Sequence, residues 1–328
     1  MASTGGLKRR AELQSSPNHA LSHLMSPGFP AWARAATIPA HEPEAAFLAG
    51  AGLALLQGVV TEASSWQGVW LQRLALRAAA ASARAAGRRE DEPGLRDAFY
   101  LRGAGDDPGP AGRLLVLWRR LAGHSPGLDD ARVRAAAADL SLPLDEALGS
   151  AVAQARALAG GARPAVFAAA EAAAVCARLR PDAEILGLWL ADVVLARRLR
   201  WPVAAPLLAA VALQGEFRLG PQGRRVRLAD PAWPHLCCAG YAQAAAQACD
   251  LAGELSRRAA ALEGVAPRLR ARGAAVVVEA LLANDAVAAS SRLAGMSDRG
   301  LRRLFERLVA LRAARELTGR PSFRLYGL

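Results

Sequence analysis

The sequence predicts an all-α protein in the main, and three observations predict it. Alanine dominates the 328 residues while strand formers are sparse, which favours helix by intrinsic propensity. Apolar residues recur at the three-to-four spacing of a buried helix face in one segment after another. The end of the chain, Gly273–Leu328, runs in the order helix, short helix, tight turn, longer helix, hairpin, which is that of a winged helix-turn-helix with a short two-stranded wing. The length allows two domains and a sizeable core.

Residues 1–40 are rich in Ser, Pro, Gly and His without any period, and read as a mostly disordered arm. Trp32 is placed to dock the arm on the core, and Lys8-Arg9-Arg10 reads as a solvated cluster. Residues 41–267 read as a helical domain. Its first helix is Glu44–Thr61, with Phe47, Leu48, Ala51, Leu55, Leu56 and Val59 at helical spacing; its second is Leu71–Ala86, anchored by Trp66 and Trp70. Their small alanine faces predict an antiparallel pair.

The densest charged stretch follows: Arg88-Arg89-Glu90-Asp91-Glu92, then Arg96-Asp97, then the loop Asp106-Asp107-Pro108-Gly109-Pro110. Asp106 or Asp107 is in place to cap a helix starting near Ala111 and running through Leu114, Leu115, Leu117, Trp118 and Leu121. The interspersed arginines make ion pairing the reading of these carboxylates; a metal or catalytic site is the alternative. Asp129–Ala138, Leu144–Ala159 and Ala165–Leu179 predict three more helices. Asp182–Leu199 is the strongest core helix, interrupted by Asp192, a carboxylate that needs a partner from Arg197 or a neighbouring helix. After Trp201-Pro202 comes Ala204–Leu213. Gly220-Pro221-Gln222-Gly223 followed by Arg224-Arg225-Val226-Arg227-Leu228 reads as a small hairpin or basic loop. Asp230-Pro231-Ala232-Trp233-Pro234 reads as a break before the long Ala-rich helix Leu236–Glu263.

The formal net charge is +12, carried almost wholly by arginine, since Lys8 is the only lysine. Coding bias toward G and C produces the same preference, so the basic balance alone is a weak pointer to an anionic partner. Cys176, Cys237, Cys238 and Cys249 lack paired spacing and sit in apolar helical surroundings, which predicts free buried thiols in a reducing compartment. No apolar run is expected to reach the roughly 18–20 residues of a membrane span, and the N-terminus lacks an apolar leader core. The expectation is a cytoplasmic protein with no membrane partner.

The catalytic inventory is poor. There is no phosphate-binding loop, no glycine-rich dinucleotide turn and no nucleophile elbow. His19, His23, His41, His124 and His235 are scattered; His235 with Cys237 and Cys238 falls short of the four spaced ligands of a zinc site. No catalytic residue, cofactor or metal is therefore expected.

Residues 268–328 carry the functional expectation. The predicted elements are Ala274–Ala283, a short helix Ala286–Ala294 capped by Asn284 or Asp285, the turn Gly295-Met296-Ser297, and a third helix Asp298–Arg312. Two strand-like runs close the chain, Ala314–Leu317 and Phe323–Tyr326. Gly295 falls where positive φ is needed, Met296 plugs the turn and Ser297 caps the third helix. Leu301, Leu304, Phe305, Leu308, Val309 and Leu311 give that helix an apolar face, expected to pack on the Val276–Leu282 helix. Its other side carries Arg299, Arg302, Arg303 and Arg307, where arginine suits guanine edges and phosphates. Ser297 and the helix N-terminus suit a phosphate, and Arg320 and Arg324 mark the wing. Twelve arginines against five carboxylates from Arg268 onward leave an excess of seven positive charges. Two features oppose this reading: Ser290 stands where the second helix needs an apolar residue, and Asp298 opposes phosphate at the helix start.

Three stretches carry a resemblance. They are Leu74–Arg77 with Gly87–Glu92 and Asp106–Gly112; Leu188–Asp192 continuing to Trp201-Pro202-Val203; and Met296–Arg299 through Glu316–Arg320 to Phe323–Leu328. In them the chain resembles the bacterial family called domain of unknown function 1403, a resemblance that implies no activity. The ending is also similar to winged helices at the C-termini of some Fic-like bacterial proteins. The His-Pro-Phe catalytic core of that group is absent, so AMP transfer is not implied. The expected function is binding of double-stranded DNA through the C-terminal winged helix, as a transcriptional, plasmid-associated or chromosome-associated regulator. The helical domain would then serve self-association or a protein partner. The alternatives are an interaction scaffold with an architectural winged helix, and an enzyme with an acidic site at 90–107.

Overall fold

The computed structural model describes residues 28–35, 37–102, 105–217, 225–291, 293, 295–320 and 322–328. Most of the expected arm, with Lys8, Arg9, Arg10, His19 and His23, lies outside the described residues, as do Gly220–Arg224 of the expected hairpin or basic loop.

The described chain is mostly helical, with twelve α-helices and one small sheet. In order the helices are α1 (Glu42–Thr61), α2 (Gln67–Ala85), α3 (Glu92–Tyr100), α4 (Gly109–Ala122), α5 (Asp130–Asp139), α6 (Glu146–Gly160), α7 (Ala165–Leu179), α8 (Glu184–Arg198), α9 (Leu208–Ala212), α10 (Trp233–Val265), α11 (Ala274–Ala283) and α12 (Asp298–Ala310). Several starts are set by carboxylate caps: Asp91 accepts from the Gly94 N–H, Asp129 from Arg132 and Asp145 from Leu148, each at 2.9–3.0 Å. Asp107 does the same for Gly109 at the head of α4.

Small residues let the helices approach closely. The longest, α10, lies along α1, where a Cβ on Gly52 would meet the Ala245 methyl at 3.1 Å. The expected α1–α2 pair is therefore replaced: α1 packs on α10, while α2 packs on α4 and α9. Composition shows that alanine faces will pair, but not with which partner. α7 and α8 form a second close pair, flanked by α6. Trp233-Pro234, expected as a break, instead opens α10, with proline in the first turn where its missing N–H costs nothing. The Ala204–Leu213 helix shrinks to α9. Trp32, 66% exposed, lies against Phe47 of α1 with ring centroids 6.3 Å apart, and buried Ala33 and an Arg34–Asp250 ion pair at 2.8 Å also dock the segment.

Among the described helices, α1 is long and apolar enough to cross a membrane, contrary to the expectation that no run reaches that length. A core helix passes the same test, and Ala45, Leu48, Ala49, Leu53, Leu56 and Val60 of α1 are buried in the fold.

Three buried tryptophans are tied to backbone or hydroxyl acceptors: Trp70 to the Ala248 carbonyl, Trp118 to Ser82 Oγ and Trp233 to the Ala170 carbonyl, each at 3.0 Å. Asp192 in α8 is 1% exposed. Among the described residues its partner is neither Arg197 nor any other cation. The Leu207 and Leu208 N–H groups donate to it at 2.9 and 3.3 Å, and the Tyr241 hydroxyl at 3.1 Å. It thereby caps α9 from inside the core. Burial, opposed by those three donors, pushes its pKa up to about 7.

The C-terminal strands are β1 (Val287–Ala288), β2 (Arg315–Glu316) and β3 (Leu325–Gly327), antiparallel in the order β1-β3-β2. Val287 faces Tyr326 and Glu316 faces Tyr326 from the other side. The expected short helix Ala286–Ala294 does not form among its described residues; β1 and a turn take its place. A helix that short is costly to nucleate, and here the backbone of Val287 and Ala288 finds a strand partner in β3 instead. The sheet consequently has three strands rather than a two-stranded wing. One continuous apolar core runs from Ala45 of α1 to Leu328.

Candidate nucleic-acid interface

The segment after Gly273 meets the helical body in one close approach, Gly68 on Ala283, and folds back on itself in another, Gly327 on Asp285. A Cβ on Gly68 of α2 would lie 2.8 Å from the Ala283 Cα, and one on Gly327 would lie 2.6 Å from the Asp285 carbonyl oxygen. Between them lies a buried ionic clamp. Asp285, 2% exposed, is not the expected helix cap; it accepts from Arg73 of α2 and, at 2.5 Å, from Arg96 Nε of α3. Asn284 instead closes α11, donating to the Ala280 carbonyl at 3.0 Å. Arg73 also reaches the Leu328 backbone oxygen at 3.4 Å. Nothing local in the sequence joins Asp285 to arginines some two hundred positions away.

α12 begins as expected: Gly295 has φ +64, and Ser297 Oγ accepts from the Gly300 N–H at 3.2 Å. That cap occupies the Ser297 side chain. Leu301, Leu304, Phe305 and Leu308 are buried, and the Phe305 ring stacks parallel on Tyr326 with centroids 4.3 Å apart. The apolar face of α12 thus packs on the sheet, while α11 lies chiefly against α2, and buried side chains of α11 and α12 belong to the same apolar core. Val309, expected on that face, is 37% exposed.

Arg299, Arg302, Arg303 and Arg307 are all exposed on α12, and none has a carboxylate within ion-pair distance among the described residues. The two wing arginines are placed differently. Arg320 pairs with Asp97 of α3, tying the wing to the body. Arg324 Nε donates to the Arg320 carbonyl at 2.9 Å and lies 3.9 Å from Glu316. A hydrogen bond with Tyr326 and the nearby Glu316 charge raise its already high pKa. The structure therefore gathers four of the sequence-derived arginines on one helix and engages the other two in contacts of their own.

Between α12 and the β2–β3 hairpin lies a cleft of about 360 Å³, lined by Ser290, Arg302, Glu306, Ser322, Phe323 and Arg324 among others. Phe323, expected inside a strand, precedes β3 instead; it is 67% exposed at φ +53, a backbone region that bulky residues rarely occupy. Its alternation with Leu325 reads as strand, so no sequence signal marks it.

The acidic stretches pair with arginines. Glu92 lies 3.8 Å from Arg96, Asp107 2.6 Å from Arg113, and Asp97 is held by Arg320. The hydrogen bond from Arg113 holds the Asp107 carboxyl below its ordinary pKa. No three of the His, Cys, Asp and Glu side chains group as metal ligands among the described residues. His235 Nε2 sits 2.8 Å from the Pro39 carbonyl oxygen. Burial pushes the Cys238 thiol up to about 12, so it is a protonated apolar side chain at neutral pH. All four cysteines are free.

No curated protein matches the chain. The family described as Protein of unknown function (DUF1403) matches residues 18–328, and the chain, with its helical body and its C-terminal arginine-bearing segment together, belongs to that family.

Proposed function

We propose that residues 268–328 form a winged-helix-like module that binds double-stranded DNA through α12. The observation that carries the reading is the set of four exposed arginines, Arg299, Arg302, Arg303 and Arg307, on one helix without ion-pair partners among the described residues. An arginine already paired must lose its partner to reach phosphate; these four need not. The β1-β3-β2 order and the helix leading into a hairpin support the winged-helix comparison, although a turn stands where such modules carry their second helix. Asp298 and Glu306 reduce the field of the helix, so phosphate contact and a short base-reading set, rather than bulk charge, are the expected mode.

The test is fluorescence anisotropy of the full chain on labelled duplex DNA across a salt series. Replacing Arg299, Arg302 and Arg303 together by Ala should weaken binding and reduce the salt slope by about 2 to 3. Unchanged affinity would refute the reading. The clamp of Asp285 between Arg73 and Arg96 and the Arg320–Asp97 pair favour a second reading, an architectural cap within an interaction scaffold. That reading requires duplex binding to be absent at every salt concentration.

A further inference from the structure

We propose that the cleft between α12 and the β2–β3 hairpin receives an unpaired guanine nucleotide at the end of a DNA strand. This rests on the DNA-binding reading of the same module and adds a specific ligand to it. Arg302 and Glu306 sit one turn apart on α12 and both line the cleft, yet they do not pair with each other. A guanidinium and a carboxylate held apart on one wall match the two kinds of group along the guanine edge. The O6 and N7 atoms accept from arginine, while N1–H and the N2 amino group donate to a carboxylate. In a base pair, cytosine already occupies those donors, so Glu306 selects a base without a partner. Adenine and thymine do not offer the same adjacent pair of donors.

Phe323 supplies the stacking surface. Its ring stands 67% exposed at the rim of the cleft on a backbone held at positive φ. Strain of that kind persists where the surrounding fold over-determines it, and exposed aromatic rings are the usual platform for unstacked bases. The Ser290 and Ser322 hydroxyls complete the wall with groups suited to sugar and phosphate. The volume, about 360 Å³, lies in the range of small-ligand sites.

The experiment uses the full chain and three labelled ligands: a blunt duplex, the same duplex with a short guanine overhang, and one with a thymine overhang. GMP serves as competitor. The guanine overhang should bind at least about fivefold tighter than the other two, and GMP should remove that gain. Phe323→Ala should abolish the gain and leave blunt-duplex affinity unchanged, with an unaltered thermal melt. Glu306→Gln should narrow the guanine-over-thymine preference. Equal affinity for all three ligands, or a Phe323→Ala loss shared by blunt and overhang duplexes, overturns the proposal. GMP binding without any overhang gain overturns the strand-end assignment. A guanine overhang bound in a Phe323-dependent way, with no salt-dependent blunt binding, would leave the pocket standing and remove the duplex reading.

Discussion

Asp192 gives the fold a pH dependence that can be worked out from its surroundings. The carboxyl is 1% exposed, and no cation among the described residues pairs with it. Two backbone N–H groups and the Tyr241 hydroxyl favour the ionised form, but burial outweighs them and raises the pKa from 3.8 to about 7. The folded state therefore holds this proton more tightly than the unfolded chain does. A raised folded pKa means stability that is fully present below the unfolded pKa and lost as pH climbs through the folded one. The window runs from near pH 4 to near pH 7, with a slope of about 1.4 kcal/mol per pH unit and a total of about 4 kcal/mol. Asp192→Asn keeps the shape and an acceptor for the α9 N–H groups but cannot ionise. Urea unfolding of both proteins, followed by circular dichroism at pH 5, 6, 7 and 8, isolates the site because all other titrating groups are shared. The wild-type stability minus that of the variant should fall steadily from pH 5 to 7 and level off above. A flat difference, or a wild type that gains on the variant as pH rises, would refute the reasoning: the N–H groups would then outweigh burial.

Two structural predictions accompany the binding experiments on Arg299, Arg302, Arg303 and Phe323. Asp285→Ala removes the buried carboxylate shared by Arg73 and Arg96, leaving Arg96 only the partly exposed Glu92 at 3.8 Å, and should cost about 3–5 kcal/mol in urea unfolding, far more than loss of the exposed Arg113–Asp107 pair. Gly68→Ala drives a methyl into the Ala283 backbone and should destabilise by about 1–3 kcal/mol, while the same change at Gly50, which has open space, should be neutral or stabilising in the same assay.

Much of the molecule was legible along the chain because its signals are local. Helical spacing, carboxylate caps and proline position set most helix bounds to within a few residues. The Gly295 turn and the Ser297 cap followed from the same local chemistry, as did the four arginines opposite the buried face of α12. Three of the failures share one cause. Ala286–Ala294 satisfies helical composition, yet Val287 and Ala288 pair with β3, which arrives almost forty residues later. Asn284-Asp285 looks like a cap, yet Asp285 is held by arginines of α2 and α3. Arg320 looks like a free wing-tip cation, yet Asp97 holds it.

The sequence by itself determined that the chain is helical, where most of its helices run (α3, Glu92–Tyr100, is not among those expected), and that its last turn-helix carries arginine on the side away from the core. Those are properties of neighbours along the backbone, governed by propensity, capping and the 3.6-residue period. Only the tertiary structure decided which alanine faces meet, that Asp192 caps α9 rather than pairing with arginine, and that Arg302, Glu306 and Phe323 share one cleft. Those are meetings of groups far apart in sequence. They depend on how dozens of nearly identical small apolar faces pack at once, a choice that no single segment encodes.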